Sequence, residues 1–259
     1  MSAVPAALRT AVVLVASWQV IVIAFAPPRY ILPAPLDVAA AFHRQPLYLL
    51  DNALVTLAEI AAGFMAGTLA GIVTALGIAS FPRLGRAVWP IVLVLQAFPV
   101  FVIAPLLVLW FGFGMASKVV MTSLIIFFPV ASAFADGLRR TPPEIVDAAA
   151  LTPASHRQTL FLLRVPLAIP ALVSGLRVAA PLAPLGAVIG EWVGASAGLG
   201  FVMVQANARM QTDTMFAAMA FIAVLTLMLR RAVDALSPFL TPWAREGEFS
   251  SDRKQRKSP

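Results

Sequence analysis

GLRRTPPEIVDAAALTPASHRQTLFLLRVPLAIP, residues 137–170, is the longest polar interruption in an otherwise apolar chain. Asp136, Arg139, Arg140, Glu144, Asp147, His156, Arg157 and Arg164 gather in or beside it, whereas the flanking segments run long distances without a charge. A membrane chain that distributes charge in this way presents one polar surface to the cytoplasm. Thr141-Pro142-Pro143-Glu144 predicts a helix start, with proline in the first turn and a carboxylate near the positive end of the helix dipole. A short helix from Ile145 to Leu151 follows, and Pro153 breaks it. A second amphipathic run, Ser155 to Val165, opens on a capping hydroxyl and stops at Pro166. The predicted unit is helix, turn, helix outside the bilayer; taken by itself, it also fits an ordinary amphipathic loop.

The composition around that unit excludes a soluble globular domain. Of 259 residues, 60% are hydrophobic and 12% charged, and the mean hydropathy is +0.89. The net charge of +7 is explained by basic cytoplasmic loops and anionic lipid. No basic run interleaved with aromatics points to nucleic acid. The absence of cysteine removes disulfides, thiolate metal sites and cysteine nucleophiles. His43 and His156 stand too far apart in sequence to suggest a histidine metal centre.

Six apolar runs are long enough to cross about 30 Å of hydrocarbon. Their cores are Leu8 to Ala26, Ala53 to Ala79, Val88 to Trp110, Val119 to Ala135, Pro170 to Val193 and Met215 to Leu229. The first resembles a secretory signal in having Arg9 before an apolar region, but Trp18 and Gln19 interrupt it and no small-residue cleavage site follows, so a retained span is expected. With the N-terminus cytoplasmic, the inner segments collect Arg83, Arg86, Arg139, Arg140, Arg157, Arg164, Arg230, Arg231 and the basic C-terminus. The outer segments then hold only Arg29, Arg44, Lys118 and Arg209. This asymmetry predicts six spans with both termini inside. Residues 1–51 hold the first span and an outer segment, in which Leu32-Pro33-Ala34-Pro35 precedes a surface helix; residues 52–236 form the main membrane body, with the polar loop inside it; residues 237–259 are a charged, serine-containing cytoplasmic tail expected to be disordered.

Within the spans, Gly63, Gly67 and Gly71 place a small residue at every fourth position, a stripe for close helix packing. Glu59, at the outer end of the same run, is either a functional carboxylate or one that reaches the interface. Pro90, Pro99 and Pro105 predict a bent, inward-facing third span, whose Gln96 lines a pathway or bonds a neighbouring helix, with Phe98 and Phe101 as core. Arg177 is expected to snorkel. Gly190, Gly194, Gly198 and Gly200, mixed with Glu191 and Trp192, predict a broken or re-entrant element at the outer half.

The loop resembles the cytoplasmic "EAA" loop of permease subunits of bacterial ABC importers: Glu-Ala-Ala, three residues, Gly, nine residues, Ile, one residue, Leu-Pro. The spacing is kept by Asp147-Ala148-Ala149, Pro153, Leu163 and Val165-Pro166, with Pro153 at the glycine position the one change that alters the backbone options. Met115-Ala116-Ser117-Lys118-Val119-Val120, Phe127-Phe128-Pro129-Val130, Asp136 to Thr141, Gly190-Glu191-Trp192-Val193-Gly194 and Gln205 to Asp213 are similar to permeases for pyrimidine precursors of thiamine, with nitrate, sulfonate and taurine permeases next. The resemblance implies an all-α integral membrane protein of the type I ABC importer permease (MetI-like) fold in a bacterial inner membrane. It implies a permease homodimer, an ATP-binding subunit that uses ATP and Mg, and an external solute-binding protein, with no cofactor on this chain.

By the same resemblance, Glu144, Asp147, Ala148, Ala149, Pro153 and Pro166 belong to the ATPase-coupling loop, while Gln96, Glu191, Trp192, Asn207 and Arg209 belong to the pathway or outer gate. Trp192 stacks a flat solute or anchors at the interface, and Asn207 and Arg209 alternatively meet the binding protein. A secondary transporter would need ionisable groups deep in several spans, and a membrane enzyme would need convergent catalytic groups; neither pattern is evident. No Walker-type phosphate loop occurs, so ATP hydrolysis is expected in a partner.

Overall fold

Proline starts many of the helices, because a residue without an N–H costs nothing where the first turn has no acceptor for it. The computed structural model describes residues 6–97 and 99–243, with backbone only at 6–8, 82, 84 and 95–97. Helix α1 is Ala6–Phe25, α2 Pro35–Arg44, α3 Pro46–Ser80, α4 Pro82–Ala97, α5 Val100–Phe111 and α6 Met115–Arg139. Then come α7 Pro143–Ala150, α8 His156–Thr159, α9 Val165–Ala179, α10 Ala183–Gly194, α11 Leu199–Ala208 and α12 Thr212–Leu240. No strand occurs among the described residues. Four helical stretches are long and apolar enough to cross a bilayer: 46–80, 115–139, 156–194 and 212–240. Their outer faces carry exposed Met65, Leu69, Val73, Leu185 and Val224, the surface that lipid requires.

Helix α6 is the centre of the bundle, and the glycine stripe explains why. Gly63, Gly67 and Gly71 of α3 lie against Thr122, Ile126 and Val130 of α6, so that two four-residue ladders mesh in register. A Cβ on Gly67 would come within 2.7 Å of the Ser123 carbonyl oxygen and 2.9 Å of Ile126 Cδ1. Backbone cannot yield as a side chain can. Gly67→Leu is therefore expected to force α3 off α6 and to destabilise the protein by about 3 kcal/mol, the upper end for overpacking; thermal unfolding of the detergent-solubilised protein measures it. Gly186 and Gly190 of α10 also rest on α6, at Thr122 and Lys118, beside the contact with α3.

Four expectations change in detail. The third span is two helices, α4 ending at Ala97 and α5 starting at Val100, with Pro90 and Pro105 inside them. Pro166 does not end a helix: Leu160–Arg164 forms a π turn, and Pro166 sits in the first turn of α9, so that one helical rod runs from His156 into the membrane. The wider turn takes up the bond that proline cannot make. Arg177 does not snorkel; its Nε bonds Asp234 of α12 at 3.0 Å and its guanidinium also reaches Ser237 at 3.1 Å. The segment expected as a tail from 237 begins as the last turn of α12, and residues 244–259 lie outside the described residues.

The break near Gly190 to Gly200 is present, as a turn at residues 195–198 between α10 and α11. The surface helix after Leu32-Pro33-Ala34-Pro35 is α2, which buries Val38 and Ala41.

Candidate functional site

At one end of the bundle the polar loop projects as α7, a turn and α8. Ser155 caps α8, accepting from the Gln158 N–H, while its own N–H donates to Gln158 Oε1 at 2.8 Å, the reciprocal arrangement of a capping box. Thr152 Oγ1 donates to the Ala149 carbonyl at 2.7 Å. Ala149 is buried beneath the loop, whereas Glu144, Asp147, Ala148 and Pro153 face solvent and Leu151 is 90% exposed. Leu151, which caps α7, has φ −77° and ψ −8°. The turn therefore starts right-handed, and the only non-glycine residues with positive φ among those described are Ala26 and Met210. Pro153 is compatible with this turn because no left-handed residue is required in it.

At the opposite end, three ionisable side chains are buried together: Glu59 of α3 at 4% exposure, Lys118 of α6 at 1% and Glu191 of α10 at 2%. The reason lies in the break between α10 and α11. A helix leaves its first N–H groups and last carbonyls without partners, and in lipid no water can supply them. Gly198, the residue before α11, has φ +107° and no side chain to cap with. Neighbouring helices do the capping instead. The Gly198 N–H donates to Asn52 Oδ1 at 2.8 Å, the Leu199 N–H to Thr56 Oγ1 at 2.8 Å, and the Gly200 N–H to Glu191 Oε2. Thr56 in turn donates its proton to Glu191 Oε1 at 2.6 Å. Lys118 Nζ donates to the Gly194 carbonyl at the end of α10 and to those of Phe113 and Gly114. A carboxylate thus stands at the positive end of α11 and an ammonium at the negative end of α10, as the helix dipoles favour.

Glu59 is different. It lines a cavity of about 250 Å³ together with Lys118, Phe113, Ala195 and Ser196, and its buried Oε2 has no hydrogen-bond partner. A buried acceptor without a donor is destabilising, so this atom is a place where a ligand donor would be welcomed.

Of the four expected pathway residues whose side chains are described, Glu191 alone joins this cluster. Trp192 is 53% exposed on another face of α10, one residue on along a helix that turns about 100° per residue. Asn207 and Arg209 are exposed around the α11–α12 turn, where Arg209 donates to Gln205 Oε1 at 3.1 Å. The side chain of Gln96 lies outside the described residues. Lys118, expected in an outer loop, is instead the most buried cation among the described residues, and Glu59 is buried in the bundle. The expectation that the spans hold no converging ionisable groups is corrected accordingly. Asn52, Thr56, Glu59 and Gly63 follow helical spacing along one face of α3 and continue into the glycine stripe; that periodicity was the available signal.

A helical bundle with lipid-facing spans, a projecting polar helix at one end and a lined polar cavity at the other is the build of a membrane transport subunit. The chain belongs to the family of binding-protein-dependent transport system inner membrane components, whose profile matches residues 67–245, and it is a permease subunit of an ABC importer. It is 46% identical over 86% of its length to a Haemophilus influenzae protein described as "Probable ABC transporter permease protein", covering 91% of that chain. It is 33% identical to the formylaminopyrimidine transport permease ThiX of Halalkalibacterium halodurans, covering 84% of this chain and 87% of that one. Its likeness to the riboflavin transport permease RibX of Chloroflexus aurantiacus is 34% over 90% of this chain and 88% of the other. The inward-facing MetNI methionine ABC transporter shares the fold, with a TM-score of 0.67 at 18% identity over 76% of this chain and 98% of that one.

Proposed function

We propose that this chain forms the translocation pathway, as a homodimer, for a single-ring pyrimidine precursor of thiamine, of the hydroxymethylpyrimidine or formylaminopyrimidine type. An external solute-binding protein delivers the solute at the end that holds the Glu59 cavity. A partner subunit using ATP and Mg docks on α7. The excess of arginine at the α7 end supports a cytoplasmic position for that end and for both termini, in the bacterial inner membrane.

The observation that carries the substrate is the free Oε2 of Glu59 in a cavity of about 250 Å³. That volume lies below the roughly 300–1,000 Å³ typical of sites for larger ligands and suits one ring. A ring amine or protonated ring nitrogen supplies the donor that Glu59 lacks. A sulfonate is the alternative, since the chain is also 31% identical to the taurine permease TauC of Escherichia coli. It fits less well, because the lining ammonium of Lys118 is already engaged by three carbonyls and has little left to offer an anion.

The test is uptake into proteoliposomes holding the permease, its ATPase subunit and its binding protein. Hydroxymethylpyrimidine is expected to accumulate only with ATP, and taurine not at all. Glu59→Gln, which replaces one carboxyl oxygen by an amide nitrogen, is expected to lower pyrimidine uptake about 10-fold, the worth of one hydrogen bond. Taurine uptake in place of pyrimidine would overturn the substrate, and accumulation without ATP would favour a secondary transporter.

A further inference from the structure

A second cavity, of about 660 Å³, opens at the α7 end of the bundle, between the end of α3, the start of α4, the end of α6 and the π turn before α9. Arg86, Arg139 and Arg164 line it, with Trp89, Ile78 and Leu138 as apolar wall. No carboxylate lines it, and none of the three arginines makes an ion pair among the described residues. Arg164 Nε is buried without a hydrogen-bond acceptor. The Arg139 guanidinium lies 5.2 Å from the centre of the Trp89 ring, and Trp89 itself stacks on Phe128 at 6.4 Å.

Three like charges on one cavity repel, and a buried guanidinium N–H without an acceptor is destabilising. Both conditions are relieved by an anion with several acceptor oxygens. Guanidinium forks match phosphate oxygens, two bonds at a time. The apolar wall beside the charges gives glycerol and the first methylenes of a lipid somewhere to lie. The position also fits: the cavity sits where the spans end and the arginine-rich loop begins, at head-group depth, with Trp89 as the interfacial aromatic.

We propose that this cavity binds the phosphate head group of an anionic phospholipid and thereby ties α4 to the junction between the coupling loop and α9. The site is independent of the transported solute and of the Glu59 cavity. It requires only that the spans lie in a bilayer.

The experiment is thermal unfolding of the detergent-purified permease–ATPase complex, titrated with phosphatidylglycerol, with phosphatidylcholine and with glycerol 3-phosphate. Phosphatidylglycerol is expected to raise Tm by about 5 °C and phosphatidylcholine to leave it unchanged. Arg86→Gln with Arg164→Gln is expected to remove that rise, while Arg209→Gln, at the other end of the bundle, keeps it. Arg86→Gln alone, at an exposed position, is expected to halve the rise and serves if the double variant does not fold. An equal rise in the wild type and in Arg86→Gln would overturn the site. So would an equal response to phosphatidylcholine, or no response in the complex, which would mean that the ATPase covers the cavity. A full response to glycerol 3-phosphate alone would overturn the lipid as its occupant.

Discussion

Asp147→Lys is expected to lower ATP-driven uptake by at least about 100-fold while leaving the chain folded in the membrane. Asp147 is exposed on α7, one turn after the exposed Glu144, and no hydrogen bond or ion pair within the described chain engages either carboxylate. Reversing its charge therefore disturbs nothing inside the protein. At a docking face the same change sets a cation where the partner expects an anion, and like-charge contact across an interface costs several kcal/mol. Every 1.4 kcal/mol is a factor of ten, so two such factors are a conservative expectation. Co-purification of the ATPase subunit with the wild type but not with Asp147→Lys, at equal membrane yield, is the confirming measurement. Normal uptake by the variant would sink the assignment of α7 as the coupling element.

Replacing Glu191 by leucine is expected to have the largest effect on folding. Leucine is close in size, so packing is largely conserved, but the Gly200 N–H loses its acceptor, the Thr56 hydroxyl keeps only the longer bond to the Asn52 carbonyl, and Lys118 remains buried without this nearby carboxylate. Removing one member of a buried charged set costs about 3–5 kcal/mol. That is a large share of the roughly 5–15 kcal/mol by which domains are stable. Glu191→Leu is expected to yield little monodisperse protein in detergent, and Glu191→Gln, which keeps an acceptor oxygen, an intermediate amount. Wild-type yield and thermal stability in Glu191→Leu would mean that the break between α10 and α11 is held by something other than this side chain.

How much of this was open to inspection depends on the range of the interaction. The loop was legible because its signals are local: two prolines and a carboxylate start α7, a serine and a glutamine three residues apart cap α8, and hydropathy marks where the spans resume. The glycine stripe was legible because a helix repeats its face every three to four residues. Even locally, Pro166 misled, since a single π turn absorbs a proline that otherwise ends a helix. Neighbourhood in sequence misled in the opposite way at Glu191 and Trp192, adjacent residues whose side chains go respectively into the bundle and out of it.

Residue order alone shows that the chain lies in lipid, that it spans several times, and that it carries a projecting helical loop with the spacing of an importer permease. Hydropathy, charge asymmetry and helix-start chemistry are properties of short windows, so no partner from elsewhere in the chain is needed to read them. That Lys118, Glu59 and Glu191 meet in the interior follows from how the helices pack. The Lys118 bond to Gly194 spans 76 positions and the Thr56 bond to Glu191 spans 135. A broken helix in hydrocarbon must have its loose N–H and carbonyl groups met by whichever side chains the fold brings near, and that choice is made in space, after the helices have packed.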